Sequence, residues 1–248
     1  MKTLGIIPVR LNSTRIFKKA LLKLCGIEMV LHVAERSKGA KLLDKLIIAT
    51  DSEEISRIVE ARGFSCCLTS EDHMNATERI CEVIENYDYD LYVQINGDEP
   101  LIKPEEIDLS ISTIKSSNSD WSVLLTPYKK VNSKSDFKYV IRKDSTVMYI
   151  SRQDIPYDAK MQNLTMLKGH HICTFKKNTL KKYKSLDYFY ENVEGHEHLR
   201  LLENGFKCIT ATIETSAISL DVTSEIEYIE NLLVNDEIFN SYRKKYDC

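Results

Sequence analysis

Ile6 to Leu21 reads IIPVRLNSTRIFKKAL. The apolar run Leu4–Ile7 predicts a buried strand. It empties at Pro8 into a loop holding Arg10, Asn12, Ser13, Thr14, Arg15, Lys18 and Lys19. Four cations and three short polar side chains thus fall within ten residues, directly after the first strand. In an open α/β sheet, ligands bind at the carboxyl ends of the strands. Cations and backbone N–H groups in such a loop suit a polyphosphate. The plain alternative is a solvated basic loop. The stretch contains neither Gly-x-x-x-x-Gly-Lys-Ser/Thr nor Gly-x-Gly-x-x-Gly, so it is not one of the standard phosphate-binding glycine loops. The rest of the chain must decide.

The 248 residues suit one large α/β domain, or one domain with an inserted subdomain. Charged residues nearly balance at a net −3, which argues against a general nucleic-acid binder. No run of 18 apolar residues occurs, so no membrane span is expected. The N-terminus enters a strand without a signal-peptide pattern. The seven cysteines form no C-x-x-C pair and are odd in number; they read as reduced core residues of a cytoplasmic protein, not as a zinc site.

Strand and helix signals alternate through the first half. Helical spacing appears at Glu28–Ser37, at Ile55, Ile58 and Val59 behind an Asp51 or Ser52 cap, at Thr77–Ile84, and after Pro104. Strands are expected at Lys45–Ala49, Phe64–Leu68 and Asp90–Ile95. That alternation means β-α-β units and a doubly wound, mostly parallel sheet. After Trp121 the pattern changes. Ser122–Tyr128, Tyr139–Arg142, Val147–Ser151 and His170–Phe175 read as an antiparallel excursion over about 122–175. Tyr190–Asn204 then reads as one helix, Lys207–Ile213 as a strand and Ser224–Val234 as a helix.

Two carboxylates are candidates for chemistry. Asp98, in Asn96-Gly97-Asp98-Glu99-Pro100, follows the strand DLYVQI and faces the same crevice as the basic loop. An Asp there suits Mg2+, which takes oxygen ligands and shares its shell with phosphates. Asp221 is either a second ligand for the same metal or a plain helix N-cap. In TSEDHMNATER (69–79), Arg79 and the hydroxyls can reach a base or ribose, though Thr77 equally suits a helix cap. Glu194, Glu197 and Arg200 suit a surface ion-pair row on the helix, with Glu194 and His198 sharing a face. His196, Glu197 and His198 lack His-Glu-x-x-His spacing, which excludes a zinc protease. His170 and His171 point to opposite faces of a strand, so only one can face a pocket.

In order along the chain, IIPVRLNSTR…KALL, HVAER, ATDSEE, TSEDHMNATER, QINGDEP, YISRQDIPY, GHEHLRLLENG and LDVTSE resemble the CTP-dependent 3-deoxy-manno-octulosonate (Kdo) cytidylyltransferases. The resemblance implies a single catalytic domain over 1–248 with a Rossmann-like nucleotidyltransferase sheet. Its antiparallel extension would form a homodimer. It implies that Arg10, Ser13, Arg15 and Lys19 meet the CTP phosphates, with Thr77 and Arg79 near the nucleotide. Asp98 and Asp221 would hold Mg2+ and, with Lys19, form the catalytic group. Asn96, Arg152, Glu197 and His198 would meet the sugar acid. The implied activity is CMP transfer from CTP to that acid, releasing pyrophosphate, in the cytoplasm, for lipopolysaccharide, capsule or other cell-surface polysaccharide synthesis.

The chain departs from the family at several points. Arg-Leu-Pro-Gly-Lys-Pro is Arg15-Ile16-Phe17-Lys18-Lys19-Ala20 here. Ser-Gly-Thr-Glu-Arg is Asn75-Ala76-Thr77-Glu78-Arg79. Asn-Val-Gln-Gly-Asp is Gln94-Ile95-Asn96-Gly97-Asp98, and Leu-Glu-Gln-Leu-Arg is His196-Glu197-His198-Leu199-Arg200. A family His falls at Gly169. The phosphate and metal groups largely persist, whereas several sugar-facing groups change, which should alter acceptor choice. The competing readings are a cytidylyltransferase for a different acid, a metal-dependent glycosyltransferase, and a non-catalytic nucleotide-binding homologue.

Overall fold

The computed structural model describes residues 1–13, 16–133, 135–159, 161–214 and 218–246. In chain order its strands are β1 (Thr3–Val9), β2 (Lys23–Leu24), β3 (Ile27–Glu28), β4 (Lys45–Thr50), β5 (Ser65–Leu68), β6 (Leu91–Ile95), β7 (Trp121–Pro127), β8 (Lys138–Ile141), β9 (Val147–Ser151), β10 (Leu167–Lys176) and β11 (Cys208–Thr212). The helices are α1 (Met29–Ser37), α2 (Glu53–Ala61), α3 (Ala76–Asn86), α4 (Pro104–Lys115), α5 (Lys177–Tyr183), α6 (Tyr190–Glu194), α7 (Leu199–Glu203), α8 (Ile226–Val234) and α9 (Glu237–Tyr242).

The main sheet runs β11-β7-β10-β6-β1-β4-β5, with β8 and β9 extending from β10. β1 pairs in parallel with both β4 and β6, whereas β10 lies antiparallel to β6, β7 and β8. The mostly parallel sheet with an antiparallel part is therefore as the sequence implied. Its centre is covered on both faces, which is why β1 is apolar without alternation. Ile7 and Val9 enter one core, Leu4 and Ile6 the other. β1 runs through Pro8 to Val9, two residues beyond the expected run. Pairing with β6 stops at Ile6–Gln94, so Pro8 sits where β1 has β4 alone beside it.

Local chemistry sets the helix starts. Ser52, not Asp51, caps α2 by accepting from Ile55 N. Asn75, not Thr77, caps α3 by accepting from Glu78 N at 2.9 Å. The expected single helix over Tyr190–Asn204 is two short ones. Gly195, at φ 66°, ends α6 in the left-handed conformation, and the chain turns through His196–His198 before α7. Glu194 and His198 consequently share no helical face. β10 is longer than expected and carries a bulge between His170 and Cys173. α5 had no clear periodic signal in seven residues.

The C-terminal helices close one face. Buried Arg36 of α1 donates from Nη1 to Asp236 Oδ1 and from Nε to the Ile102 carbonyl, both at 2.6 Å. His32 Nδ1 lies 2.6 Å from the Tyr242 hydroxyl. Burial pushes the Asp236 carboxyl up, but hydrogen bonds from Arg36 and Phe239 N outweigh it and hold the group below the usual range. The stabilisation from this pair is thus complete above the ordinary aspartate value of about 4 and is lost as pH falls through the lower native value. Asp236→Ala should destabilise the fold by about 3 kcal/mol at neutral pH, since it strands a buried guanidinium. Urea melts of both proteins should show the gap closing in acid; a gap independent of pH would refute this account.

Candidate active site

The carboxyl ends of β1, β4 and β6 deliver Arg10, Asp51 and the turn Asn96-Gly97-Asp98 to one edge of the sheet. Gly97 is required by close approach: a Cβ at that position would overlap Val9 Cγ1 of β1. Lys19 comes from the loop after β1. Its Nζ lies 2.6 Å from Asp98 Oδ2 and 3.9 Å from Asp221 Oδ1. Asp221 is brought there because Leu220 N donates to the Asp98 carbonyl at 3.1 Å. Asp221 is not a helix cap: its own N–H and that of Val222 donate to Glu225. The three proposed catalytic side chains therefore meet. Burial pushes the Asp98 carboxyl up, but the adjacent Lys19 ammonium prevails and holds it below the usual carboxylate range. Neighbouring Glu99, 2% exposed, is pushed up to about 7 by burial. Its carboxylate accepts from the Ser219 hydroxyl.

Two cavities meet at Asn96 and Asp98. The smaller, of about 230 Å³, is bounded by Arg10, Ser13, Lys19 and Gly97. The larger, of about 520 Å³, runs past Asp221, His171 and Arg152 to a chamber near Tyr139 and His198. Arg15 lies outside the described residues. Arg10 also borders a third cavity, of about 210 Å³, together with Arg79.

Thr77 and Arg79 are buried and serve the walls. Arg79 donates to Asp51 Oδ2 at 2.9 Å, to the Ser70 carbonyl at 3.2 Å and to the Thr69 hydroxyl. Thr77 Oγ1 donates to Gln94 Oε1 at 3.2 Å. Glu197 accepts from Thr77 N and Gln94 Nε2, each at 3.0 Å. The same Gln94 amide reaches Asn96 Oδ1 at 3.3 Å, and Asn96 Nδ2 lies 3.2 Å from His171 Nδ1. A continuous polar seam thus lines the cavity from Glu197 to His171. Contrary to the expected alternation, His170 and His171 both border the larger cavity, because the bulge between His170 and Cys173 interrupts the regular strand; His171 is 34% exposed beside Glu99 and His170 3% exposed against Glu106.

The expected surface row at Glu194, Glu197 and Arg200 does not exist. Arg200 is buried, donating to Glu191 and Glu78. Glu194 accepts from the Ser151 hydroxyl and from Arg152 N at 2.8 and 2.9 Å. Arg152 answers with Nε to the Glu194 carbonyl at 2.8 Å, and its guanidinium lies over the Phe137 ring at 4.2 Å. His198 sits on Trp121, with ring centres 4.8 Å apart, and burial lowers its pKa so the imidazole is neutral at pH 7. Gln94, Glu99, Ser219 and Tyr139 line or brace the site and were not singled out from sequence. Of these, only Glu99 carried a signal, as the second acid of Asp98-Glu99.

The sequence model of the cytidylyltransferase family matches residues 4–215. The 3-deoxy-manno-octulosonate cytidylyltransferase of Fusobacterium nucleatum is 37% identical, over 96% of this chain and 99% of its own. That of Pelodictyon phaeoclathratiforme is 32% identical, over 94% and 98%. A solved CMP:2-keto-3-deoxy-manno-octonic acid synthetase complexed with CTP superposes with a TM-score of 0.90 at 26% identity, covering 95% of this chain and 99% of that one. A glucose-1-phosphate thymidylyltransferase-like protein from Bacillus anthracis, at 15% identity and a TM-score of 0.70, shares the fold alone.

Gly97→Ala should lower stability by about 1–3 kcal/mol, because the added methyl must part β6 from β1 beneath Asp98. Equal denaturation midpoints for the two proteins would show that the strand ends separate freely.

Proposed function

The chain belongs to the 3-deoxy-manno-octulosonate cytidylyltransferase family, and from that premise we propose that it transfers CMP from CTP to a hydroxyl of 3-deoxy-manno-octulosonate, releasing pyrophosphate. The observation that carries this reading is the meeting of Lys19, Asp98 and Asp221 at the border of two cavities. The smaller cavity, with its cations, takes the triphosphate. The larger takes the sugar acid.

Phosphoryl-type transfer asks the protein for placement and charge compensation more than for covalent chemistry. Arg10, Ser13, Arg15 and Lys19 grip the phosphates and draw charge toward the leaving pyrophosphate. Arg79 and Thr77 fix the wall beside the nucleotide. Asn96, Arg152, Glu197 and His198 bound the acceptor and aim its hydroxyl in line at the α-phosphate. Asp98 and Asp221 suit Mg2+: both carboxylates face the one position that the Lys19 ammonium holds, and Mg2+ takes one or two carboxylates beside substrate phosphates. When bound, that ion neutralises phosphate charge and favours ionisation of the attacking hydroxyl. The altered loop at Phe17–Ala20 still delivers Lys19 to Asp98, which removes the support for a non-catalytic homologue.

We read 1–248 as one catalytic unit acting in the cytoplasm, where CTP is available. Among the described residues no helix is long and apolar enough to cross a membrane. The antiparallel excursion carries exposed Met148, Tyr157, Met161 and Leu164, an apolar set suited to a second copy.

Asp98→Asn should abolish CTP-dependent pyrophosphate release while leaving the circular dichroism spectrum unchanged. Turnover in that variant at saturating Mg2+ would overturn the assignment. Sedimentation at micromolar concentration should give twice the chain mass; a monomer would remove the dimer.

A further inference from the structure

The inner chamber of the larger cavity is walled by Val123, Phe137, Tyr139, Cys173, His196 and His198. Its polar groups run in one direction. The backbone N–H of His198 donates to His196 Nδ1 at 3.2 Å, so that nitrogen carries a lone pair. Burial, with His198 alongside, holds the His196 pKa well below its ordinary value. A neutral imidazole has one N–H, which must then be on Nε2. Nε2 lies 3.1 Å from Tyr139 Oη, and there the imidazole donates and the phenol oxygen accepts. The hydrogen of the Tyr139 hydroxyl is left without an acceptor among the described residues, although the side chain is 4% exposed.

Two further features hold this hydroxyl in place. Gly169 makes room for the ring: a Cβ there would stand 2.8 Å from Tyr139 Cε2. Phe137 meets the His196 ring edge-on at 4.2 Å, which holds the imidazole that donates to this hydroxyl, and it also carries the Arg152 guanidinium.

We propose that Tyr139, the end of the chain from His198 through His196, determines acceptor specificity by donating its hydroxyl hydrogen to an oxygen of the sugar acid other than the attacking one. The inference rests on the cytidylyltransferase reading above. An acid lacking an oxygen at that position leaves the donor unpaired and is rejected.

The test is Tyr139→Phe, which removes the hydroxyl and keeps the ring. The KM for 3-deoxy-manno-octulosonate should rise about tenfold or more, with the KM for CTP unchanged. Gly169→Ala, which displaces the ring, should do the same. An acceptor KM within twofold of wild type, or an equal rise in both KM values, overturns the proposal. Nitrogen-15 NMR of the wild-type protein should show His196 protonated on Nε2 and bare on Nδ1; the opposite tautomer overturns it without reference to activity. A wild type that releases no pyrophosphate with any sugar acid refutes the activity itself, whereas a proton on Nδ1 of an active enzyme refutes only the chain.

Discussion

The Lys19 ammonium is held where water barely reaches it, its side chain 11% exposed. Such a group is costly to bury unless paired. Asp98 and Asp221 supply the pairing, and they come from the end of β6 and from the segment before α8. Three stretches distant in sequence are thereby drawn to one point. The Leu220 N–H bond to the Asp98 carbonyl fixes the third stretch in register. Before any ligand arrives, the buried ammonium already has its counter-charge, and two carboxylates around one ammonium leave the centre net negative.

The same device recurs around the rim. Arg79 ties α3 to Asp51 at the end of β4, and Asp51 also accepts from Leu11 N at 3.1 Å, so it steadies the loop after β1. Arg200 ties α7 to Glu191 of α6 and Glu78 of α3. Lys138, fully buried, donates to the carbonyls of Ser133, Asp136 and Arg152 beneath the outer wall of the larger cavity. In each case a buried cation gathers oxygens from separate segments. Such groups give little net stability against an apolar replacement, but removing one partner leaves the other stranded. They fix position more than they add energy.

Legibility in the sequence followed the range of the interaction. The parallel sheet was readable because apolar runs and helical spacing are local; the same pattern put Asp98 and the Lys19 loop just beyond strands, whereas grouping Asp221 with them came from the family resemblance. Asp51 and Arg79 were not readable as partners, since nothing in either stretch marks a pair 28 residues apart. The break at Gly195 was missed because Tyr190–Asn204 has the composition of a helix. One glycine in the left-handed conformation outweighs that composition when Glu194 and Glu197 each have buried donors to satisfy. Tyr139 gave no signal at all, since an aromatic residue in a strand is ordinary. Its place over Gly169 exists only in the folded chain.

The two cavities share just Asn96 and Asp98 among the residues that line them. One is framed by β1, β6 and the loop after β1; the other is framed largely by β7–β10 and the turn between α6 and α7. Among the lining residues, a substitution in the second frame reaches the first through Asn96 and Asp98. Set beside the family motifs, the chain keeps Lys19, Asp98 and Asp221; it departs at His196, His198 and Gly169 around the larger cavity, and at Ala20 and Ala76 around the smaller one. A scaffold divided this way can acquire a new acid partner by changing one compartment at a time, and directed evolution of its substrate range would best be confined to that compartment.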